Sequence, residues 1–235
     1  MTPPRPEVSL TLHGLHVPIA ETEVSPIIWQ ALQSAEYEAK EARLAKELLR
    51  PGDRVLELGS GLGIITTVLA QTPGVRIWSF DANPDTVAMA RRVAQANKVD
   101  NVIFAHGMLS AGAPASHVFY MRRDFWMSSM IESQGPYEST IQVESSNIDD
   151  FIAAQSVNVL VMDVEGAERQ ILGAAALEGV DRVFLELHDH LYGLSGVREI
   201  FASMDRLGFS YDPRQSSGPC VLFLRDDGQI RPYCG

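Results

Sequence analysis

The chain of 235 residues has little of several features that mark particular classes of protein. It contains only two cysteines, Cys220 and Cys234, too few for a cysteine zinc site or a disulfide framework, so both are expected to be reduced thiols. Any metal must then be bound by oxygen and imidazole. No apolar run approaches the roughly 20 residues that span a bilayer, and residues 1–7 lack the apolar segment of a secretory signal. We therefore expect a cytoplasmic protein without a membrane partner.

Positive charge is also scarce. The sequence has 19 lysines and arginines against 30 acidic residues, a formal net charge of −11. This balance opposes binding to a phosphate backbone, so nucleic acid is excluded as the expected partner. The basic doublets Arg91-Arg92 and Arg122-Arg123 are interpreted as solvent-exposed faces. Hydrophobic residues make up 46% of the chain, enough for one sizeable core and a single domain over residues 1–235.

Strand-like and helix-like segments alternate along most of the chain. Such alternation predicts right-handed crossovers and a mostly parallel, doubly wound α/β sheet with helices on both faces. An antiparallel pair is expected to close the sheet at its C-terminal end. The predicted strands are 54–58, 76–80, 102–105, 157–162 and 182–187, the predicted helices 62–71, 84–97, 148–154, 167–176 and 197–207, and the closing pair 209–212 and 221–225.

Two regions depart from this alternation. Val8, Leu10 and Leu12 predict a short strand or arm, and residues 26–49 follow a helical spacing with a break near Tyr37, which predicts an N-terminal helical cap within residues 1–50. Residues 109–146 form an insertion, in which we predict strands at 117–121 and 140–144 joined by a mobile connection. A connection this long within a domain is expected to have its own function, here as a substrate lid. The remaining parts are a cofactor-binding half, 51–108, and a second half of the sheet, 147–235.

Three glycines follow the first predicted strand at alternate positions: Gly59, Gly61 and Gly63. Glycine there allows positive φ and lets a ligand approach the peptide groups. The dinucleotide fingerprint would require a glycine at position 64, which is Ile64. The spacing G-x-G-x-G after the acid Glu57 instead resembles motif I of class I S-adenosylmethionine (SAM) methyltransferases. That resemblance implies a Rossmann-like fold, SAM as cofactor, glycines around its methionine portion, and Glu57 near its ammonium group.

Asp81 supports this interpretation, because it ends the second predicted strand, where a carboxylate can accept both hydroxyls of a ribose. Its alternative is an N-cap for the helix that begins near Pro84. Gly107 and Met108 occupy the region expected to line the adenine. The predicted cofactor-binding residues are thus Glu57, Gly59, Ser60, Gly61, Gly63, Asp81, Ala82, Gly107, Met108 and Asp163.

The segment Asp163-Val-Glu165-Gly-Ala-Glu168, at the end of a buried strand, is the most specific motif in the chain. With the residues on either side, it resembles the signature of FkbM-type methyltransferases, and the resemblance extends from about Tyr37-Glu38 to His188. Members of known activity are mostly O-methyltransferases of sugars, polyketides and other natural products. The resemblance therefore implies methyl transfer to a hydroxyl of a small or medium-sized metabolite.

The catalytic candidates are Asp163, Glu186 and His188. All three follow strands whose carboxyl ends should meet at one edge of the sheet, and Glu186 and His188, two apart, should point to one side. Transfer of a methyl group to a hydroxyl needs positioning and a proton acceptor. His188 is the first candidate for the general base because of its ordinary pKa, and Asp163 is the second.

The same three residues are also candidate ligands for Mg²⁺, which would acidify the hydroxyl. Other readings are structural. Glu165 and Glu168 can simply favour the first turn of a helix, His190 is interpreted as a loop residue, and Phe125 with Trp126 is either minor core or a substrate platform.

Two other functions stay open at this point. A nicotinamide-dependent oxidoreductase would share the sheet and Asp81, although Ile64 disfavours it. A non-catalytic SAM-binding module would share the whole cofactor half. A homodimer is a further candidate for the assembly of this chain.

Overall fold

The computed structural model describes residues 10–232, and the chain begins there with a hairpin followed by two helices. Val8, Cys234 and residues 1–7 lie outside the described part. The hairpin consists of β1 (Leu10–Leu12) and β2 (Leu15–Val17), and the helices are α1 (Pro26–Gln33) and α2 (Ala39–Leu48). The break predicted near Tyr37 is present, because α1 and α2 are separated by residues 34–38.

The next segment alternates between strand and helix as the hydrophobic pattern predicts. Its elements are β3 (Arg54–Leu58), α3 (Ile64–Leu69), β4 (Arg76–Asp81), α4 (Pro84–Ala96) and β5 (Val102–His106). Strand β4 pairs in parallel with both β3 and β5. Helix α4 is capped by Asn83, whose side chain accepts a hydrogen bond from the backbone N–H of Asp85 at 2.9 Å.

The insertion has more regular structure than the sequence predicts. It forms a separate three-stranded sheet of β6 (Met108–Ser110), β7 (Ala115–Met121) and β8 (Ser139–Asn147), in the order β6-β8-β7. Strand β8 pairs in parallel with β6 and antiparallel with β7. Strand β6 was not predicted, because three residues are too few to show a periodicity. The connection from β7 to β8 contains two short 3-10 helices, Phe125–Met127 and Glu132–Gln134.

The second half of the large sheet follows. Its elements are α5 (Ile148–Gln155), β9 (Val159–Met162), α6 (Glu168–Ala174), β10 (Arg182–Glu186), α7 (Asp189–Arg206), β11 (Phe209–Tyr211) and β12 (Cys220–Arg225). Helix α7 begins well before the predicted start at Val197. It continues across a non-helical residue, Gly193 at φ +62°, which interrupts the sequence pattern of one helix. Among residues 10–232, no helix has the length and apolar character that crossing a membrane requires.

The seven-stranded sheet has the order β11-β12-β10-β9-β3-β4-β5. Strands β10, β9, β3, β4 and β5 are parallel neighbours, and the β11–β12 pair is antiparallel, which confirms the predicted fold class. From β3 the chain moves outward to β4 and β5, and it later returns to β9 on the other side of β3. In sheets of this kind, ligands bind beyond the carboxyl ends of the strands at such a reversal.

Alternating residues of the strands bury two separate apolar layers. Val55 and Ile77 face the layer that contains α2, α3 and the hairpin, while Leu56 and Trp78 face the layer with α5, α6 and α7. Both layers are needed because the strands are covered on both faces, as is usual for parallel sheets.

A buried ion pair joins the amino-terminal ends of the strands. The guanidinium of Arg182 contacts both carboxylate oxygens of Asp53, at 2.7 and 2.8 Å, and it also donates to the carbonyl of Leu48. Asn158 donates to Asp53 as well, at 2.8 Å. These bonds connect β10, the loop before β3 and the end of α2 on the side of the sheet opposite the glycine turn.

The contribution of this ion pair to the free energy of unfolding can be tested by replacing Arg182. Arg182→Leu leaves the Asp53 carboxylate buried without its cation, so we expect a loss of about 3–5 kcal/mol in the free energy of unfolding by urea. Arg169→Leu is the matched control, because Arg169 is paired with Glu199 at the surface and should contribute about 0–1 kcal/mol. Equal losses in both variants would contradict a special role for the buried pair.

Candidate active site

A cavity of about 700 Å³ opens beyond the carboxyl ends of β3, β4, β9 and β10. We call it the strand-end cavity. It lies within the size range of ligand sites, about 300–1,000 Å³. Its walls come from the glycine turn, the strand ends, the insertion and the cap. The lining includes Tyr37, Glu38, Glu41, Leu58, Gly59, Gly61, Phe80, Asp81, Ala82, Asn83, Gly107, Met108, Phe119, Phe125, Trp126, Met130, Ile131, Asp163, Glu165, Gly166, Glu186, His188 and His190.

The structure brings most of the predicted cofactor residues to this cavity, but not all. Gly59, Gly61, Asp81, Ala82, Gly107, Met108 and Asp163 line it. Glu57, Ser60 and Gly63 do not. Glu57 and Ser60 face a smaller void of about 30 Å³ beneath the glycine turn, which is bordered by Gly59, Asp163 and Glu186 as well.

The three glycines of the turn have different reasons to be glycine. A Cβ on Gly59, at φ +90°, would lie 1.8 Å from the backbone oxygen of Asp163. A Cβ on Gly63, at φ +74°, would lie 2.8 Å from Cβ of Ala90 in α4. Gly59 therefore allows β9 to pass close to the turn, and Gly63 allows α4 to pack on α3. Of the three, Gly59 and Gly61 face the strand-end cavity.

Asp81 is held by the glycine turn itself. Its Oδ2 accepts from the N–H of Gly61 at 3.0 Å and from the hydroxyl of Ser60 at 3.4 Å, and its Oδ1 accepts from the N–H of Asn83 at 2.8 Å. Burial raises the pKa of Asp81, and these hydrogen bonds oppose that rise. The cap of α4 is Asn83, so the alternative role of Asp81 as that cap does not apply. A fixed carboxylate at the cavity wall is suited to ribose hydroxyls.

Glu57 is enclosed between β3 and its neighbours. It is 2% exposed, and its Oε2 accepts hydrogen bonds from Thr66 at 2.5 Å and from Ser79. Burial raises the pKa of Glu57 to about 7. One carboxylate oxygen is thus committed to the interior of the fold.

Glu168 has a role that the sequence did not reveal. It is the first residue of α6, as expected for an acid in a first helical turn, but it is fully buried. Its carboxylate accepts from the N–H groups of Val164 and Gly166, both at 3.1 Å, and lies 3.0 Å from Nδ1 of His188. Glu168 therefore holds the loop after β9 and orients the imidazole so that Nε2 points to the cavity.

His188 lies among carboxylates and is only 4% exposed. Its Nε2 is 3.4 Å from Oδ1 of Asp163 and 3.6 Å from Oε1 of Glu165. Burial alone would lower the pKa of His188, but Asp163 and Glu168 outweigh burial and raise it to about 11. The surrounding carboxylates therefore shift the pKa of His188 upward from the ordinary histidine value assumed from the sequence, which favours its protonated form.

Asp163, Glu186 and His188 meet as predicted, with one ligand atom of each within 4.8 Å of the others. We call them the triad. Burial and the charge of Asp163 raise the pKa of Glu186 to about 8. Oδ1 of Asp163 is shielded from solvent and has no hydrogen-bond partner among the described residues. Two carboxylates and an imidazole fit a divalent cation, and the Glu168–His188 contact is of the kind that orients metal-binding histidines.

The cap and the insertion cover the cavity together. The ring of Tyr37 stacks on Trp126, with centroids 6.0 Å apart and an interplanar angle of 20°. Trp126 and Phe125 pack on the core layer of α2, as one prediction had it, and they also line the cavity, so a substrate platform stays a prediction. His190 lies in the first turn of α7 rather than in a loop and lines the cavity too.

Arg122 organises the insertion from within. It is 6% exposed, and its guanidinium donates to the carbonyls of Tyr120, Met127, Ile131, Glu132 and Gly135. The interpretation of the Arg122-Arg123 doublet as a solvent-exposed face is wrong for Arg122. Charge patterning carries no signal for such a residue, since its partners are backbone oxygens.

Comparison with known proteins identifies a family. The family described as the methyltransferase FkbM domain matches residues 63–211, more than half of the chain. Ribosomal protein L11 methyltransferase of Chloroflexus aurantiacus is 35% identical over 75 residues, 32% of this chain and 23% of that protein. The 23S rRNA (uracil(1939)-C(5))-methyltransferase RlmD of a Shewanella species is 40% identical over 62 residues, 26% of this chain and 14% of that protein. This chain thus spans less than a quarter of the length of these curated relatives.

Solved structures share the fold. A protein of Pyrococcus horikoshii described as a transferase is 11% identical and superimposes with a TM-score of 0.51, covering 92% of this chain and 69% of the other.

The charge of His188 can be measured directly. In the ligand-free protein, we expect the NMR signal of its ring to show a protonated imidazole at pH 8. Glu168→Gln should lower the pKa of His188 by about 1–3, because it removes one of the two carboxylates that hold the proton. Glu199→Gln, in the exposed ion pair with Arg169, is the control and should leave the titration unchanged. A neutral His188 at pH 8 in the wild type would contradict the electrostatic picture.

Proposed function

Because this chain belongs to the FkbM methyltransferase family, we propose that it is a SAM-dependent O-methyltransferase acting on a hydroxyl of a small or medium-sized metabolite. The observation that carries the proposal is the strand-end cavity, which joins the glycine turn and Asp81 to the triad in one space. Bound SAM supplies an electrophilic methyl group on a sulfonium. The acceptor oxygen would form a bond to the methyl carbon as the carbon–sulfur bond breaks, and S-adenosylhomocysteine (SAH) would be the leaving group.

The cofactor half of the cavity has the groups that SAM requires. Asp81 offers carboxylate oxygen to the ribose, and Gly61 keeps its side of the wall open for the methionine portion. Gly107 and Met108, at the start of the insertion, provide backbone and apolar surface for the adenine. The family membership supports this use of the glycine turn and does not support nicotinamide.

The acceptor half of the cavity is lined mainly by side chains of the insertion. Phe119, Phe125, Trp126, Met130 and Ile131 of the insertion give it a largely apolar and aromatic wall. The triad lines the same cavity. This combination favours an acceptor with an apolar body or ring face and a hydroxyl, and together with the net charge of −11 it disfavours nucleic acid.

The proton of the acceptor hydroxyl passes to the triad. With its pKa raised, His188 can donate Nε2–H to the acceptor oxygen and stabilise the developing alkoxide. The proton of the hydroxyl is accepted by Asp163, or by Glu186 at a pH above its raised pKa of about 8. The three predicted residues remain in the proposed site, but their roles differ from the prediction: a carboxylate is the general base, and His188 is the hydrogen-bond donor. Loss of either role should lower the rate of methyl transfer and leave the affinity for the cofactor nearly unchanged.

A divalent cation at the triad is the alternative. It would be bound by Asp163, Glu186 and His188, the last after losing its Nε2 proton, and would lower the pKa of the acceptor hydroxyl. Chelation separates the two cases. Turnover that survives EDTA supports the metal-free arrangement, and turnover that is lost and then restored by Mg²⁺ or Mn²⁺ supports the metal.

Cofactor binding is the first test. By calorimetry, the wild type should bind SAM and SAH, and Asp81→Asn should weaken both by about 10-fold or more, because it removes a charged partner of the ribose. Asp85→Asn is the matched control, since Asp85 is an exposed residue of the first turn of α4. Absence of SAM binding at high micromolar ligand would refute the proposal.

The triad is tested by kinetics with labelled SAM and an acceptor found by screening hydroxylated metabolites. Glu186→Gln and His188→Gln should each lower kcat by about 10²–10⁴-fold, the range of acid–base contributions, with SAH affinity nearly unchanged. Glu178→Gln is the control, because Glu178 is exposed and does not line the strand-end cavity. A wild type that binds SAM but modifies no acceptor would indicate a binding module, and unaltered turnover in both variants would remove the triad from catalysis.

A further inference from the structure

We propose that Glu38, in the turn between α1 and α2, is the carboxylate that receives the α-ammonium group of SAM, a role that sequence motif I alone would assign to Glu57. The inference rests on the proposed function in requiring SAM in the strand-end cavity. It adds a cap residue to a cofactor site that is otherwise built from the sheet.

Glu57 is poorly placed for this contact. It does not line the strand-end cavity, and its Oε2 is occupied by the hydroxyls of Thr66 and Ser79. The void that it faces is about 30 Å³, the space of a water molecule rather than of an amino-acid group. Glu57 therefore stabilises the junction of β3, α3 and β4 from below the glycine turn.

Glu38 is placed on the other side of the same turn. It lines both the strand-end cavity and the small void, and its Oε1 is 3.4 Å from the position that a Cβ on Gly61 would occupy. Its Oε2 is shielded from solvent and has no hydrogen-bond partner among residues 10–232. A shielded carboxylate oxygen without a donor is costly, and a ligand N–H would satisfy it.

The backbone places Glu38 before α2, but its side chain does not cap the helix. Glu38 is the N-cap of α2 at φ +49°, a conformation that is uncommon for a residue other than glycine, and its carboxylate makes no capping hydrogen bond. An acid before a helix commonly caps it. Here the carboxylate turns instead to the glycine turn.

Tyr37 fixes Glu38 from the side of the lid. The Tyr37 hydroxyl lies beside the Glu38 carboxylate, because both would contact a Cβ on Gly61, at 3.2 Å and 3.4 Å, and the Tyr37 ring stacks on Trp126. The same pair of cap residues thus contacts the cofactor turn and the acceptor wall.

The charge of the surroundings also favours a cationic group at this point. Glu38 is near Asp163, Glu41 and Glu57, and burial with these charges raises its pKa well above the ordinary value. Within the described part of the chain, neither lysine nor arginine lines the strand-end cavity. An ammonium group of the ligand supplies the cation that the protein does not provide beside Glu38.

The test compares two ligands by calorimetry. SAH carries the α-ammonium, whereas 5′-methylthioadenosine has the adenosine and a thioether but no amino-acid group. Glu38→Gln should lower the affinity for SAH by about 10–100-fold, the range of a hydrogen bond to a charged group. Its affinity for methylthioadenosine should stay within about threefold of the wild-type value. Glu57→Gln should keep SAH within about threefold, since its Oε1 can accept from Thr66 and Ser79. Glu47→Gln, exposed on the same helix, is the control.

Three results would overturn the inference: unchanged SAH affinity in Glu38→Gln, an equal loss for both ligands, or a large loss confined to Glu57→Gln. Failure of the wild type to bind SAH at all would instead refute the proposed function. If Glu38→Gln melts below the assay temperature, Glu38→Asp takes its place. That variant keeps the charge and shortens the reach, so it should lose SAH affinity partially and retain that for methylthioadenosine.

Discussion

The site depends on one close backbone approach, that of Gly59 to Asp163. A side chain at position 59 would lie 1.8 Å from the carbonyl oxygen of Asp163, and the N–H of Asp163 donates to the carbonyl of Leu58 at 2.9 Å. The end of β9 can therefore lie directly against the turn that follows β3. This contact joins two parts of the chain that are far apart in sequence: one holds the glycine turn, and the other continues into the loop with Glu165 and then to Glu168 at the start of α6. Any acceptor that reaches Asp163 is then close to the glycine turn.

An excess of buried negative charge is the second constraint. Burial raises the pKa of Glu57 and Glu165 to about 7, and Asp163 adds to burial in raising that of Glu186 to about 8. His188 is the cation that these acids stabilise, and Glu168 fixes its orientation. A pocket of this kind carries more acid than its own cations neutralise. Its electrostatic complement is a positively charged ligand, and SAM is positively charged at its sulfonium and its ammonium. Part of the net charge of −11 is therefore concentrated at the strand ends, where it favours a cationic ligand, and the charge as a whole disfavours polyanionic partners.

The insertion and the cap, which cover the cavity, are not part of the seven-stranded sheet. The insertion makes a sheet of its own, and Arg122 holds the connection between β7 and β8 through backbone carbonyls. The cap meets this insertion through the stacking of Tyr37 on Trp126. The wall formed by the insertion is thus separate from the scaffold of the large sheet, in agreement with the general separation of site loops from scaffold.

The sequence by itself determined the fold class, the family and the edge of the sheet that carries the site, because hydrophobic periodicity and the motifs around Gly59 and Asp163 are local properties of the chain. It also identified the triad, since parallel strands necessarily end at one edge. Only the tertiary structure decided what each charged residue does there. The pKa of His188, the shielding of Glu57 and the burial of Arg122 depend on neighbours that are distant in sequence, and desolvation and Coulomb energy follow from distances in space. The sequence predicted the helix break beside Glu38 and places Tyr37-Glu38 at the start of the family resemblance. The position of Glu38 over the glycine turn, however, results from a packing contact between separate layers.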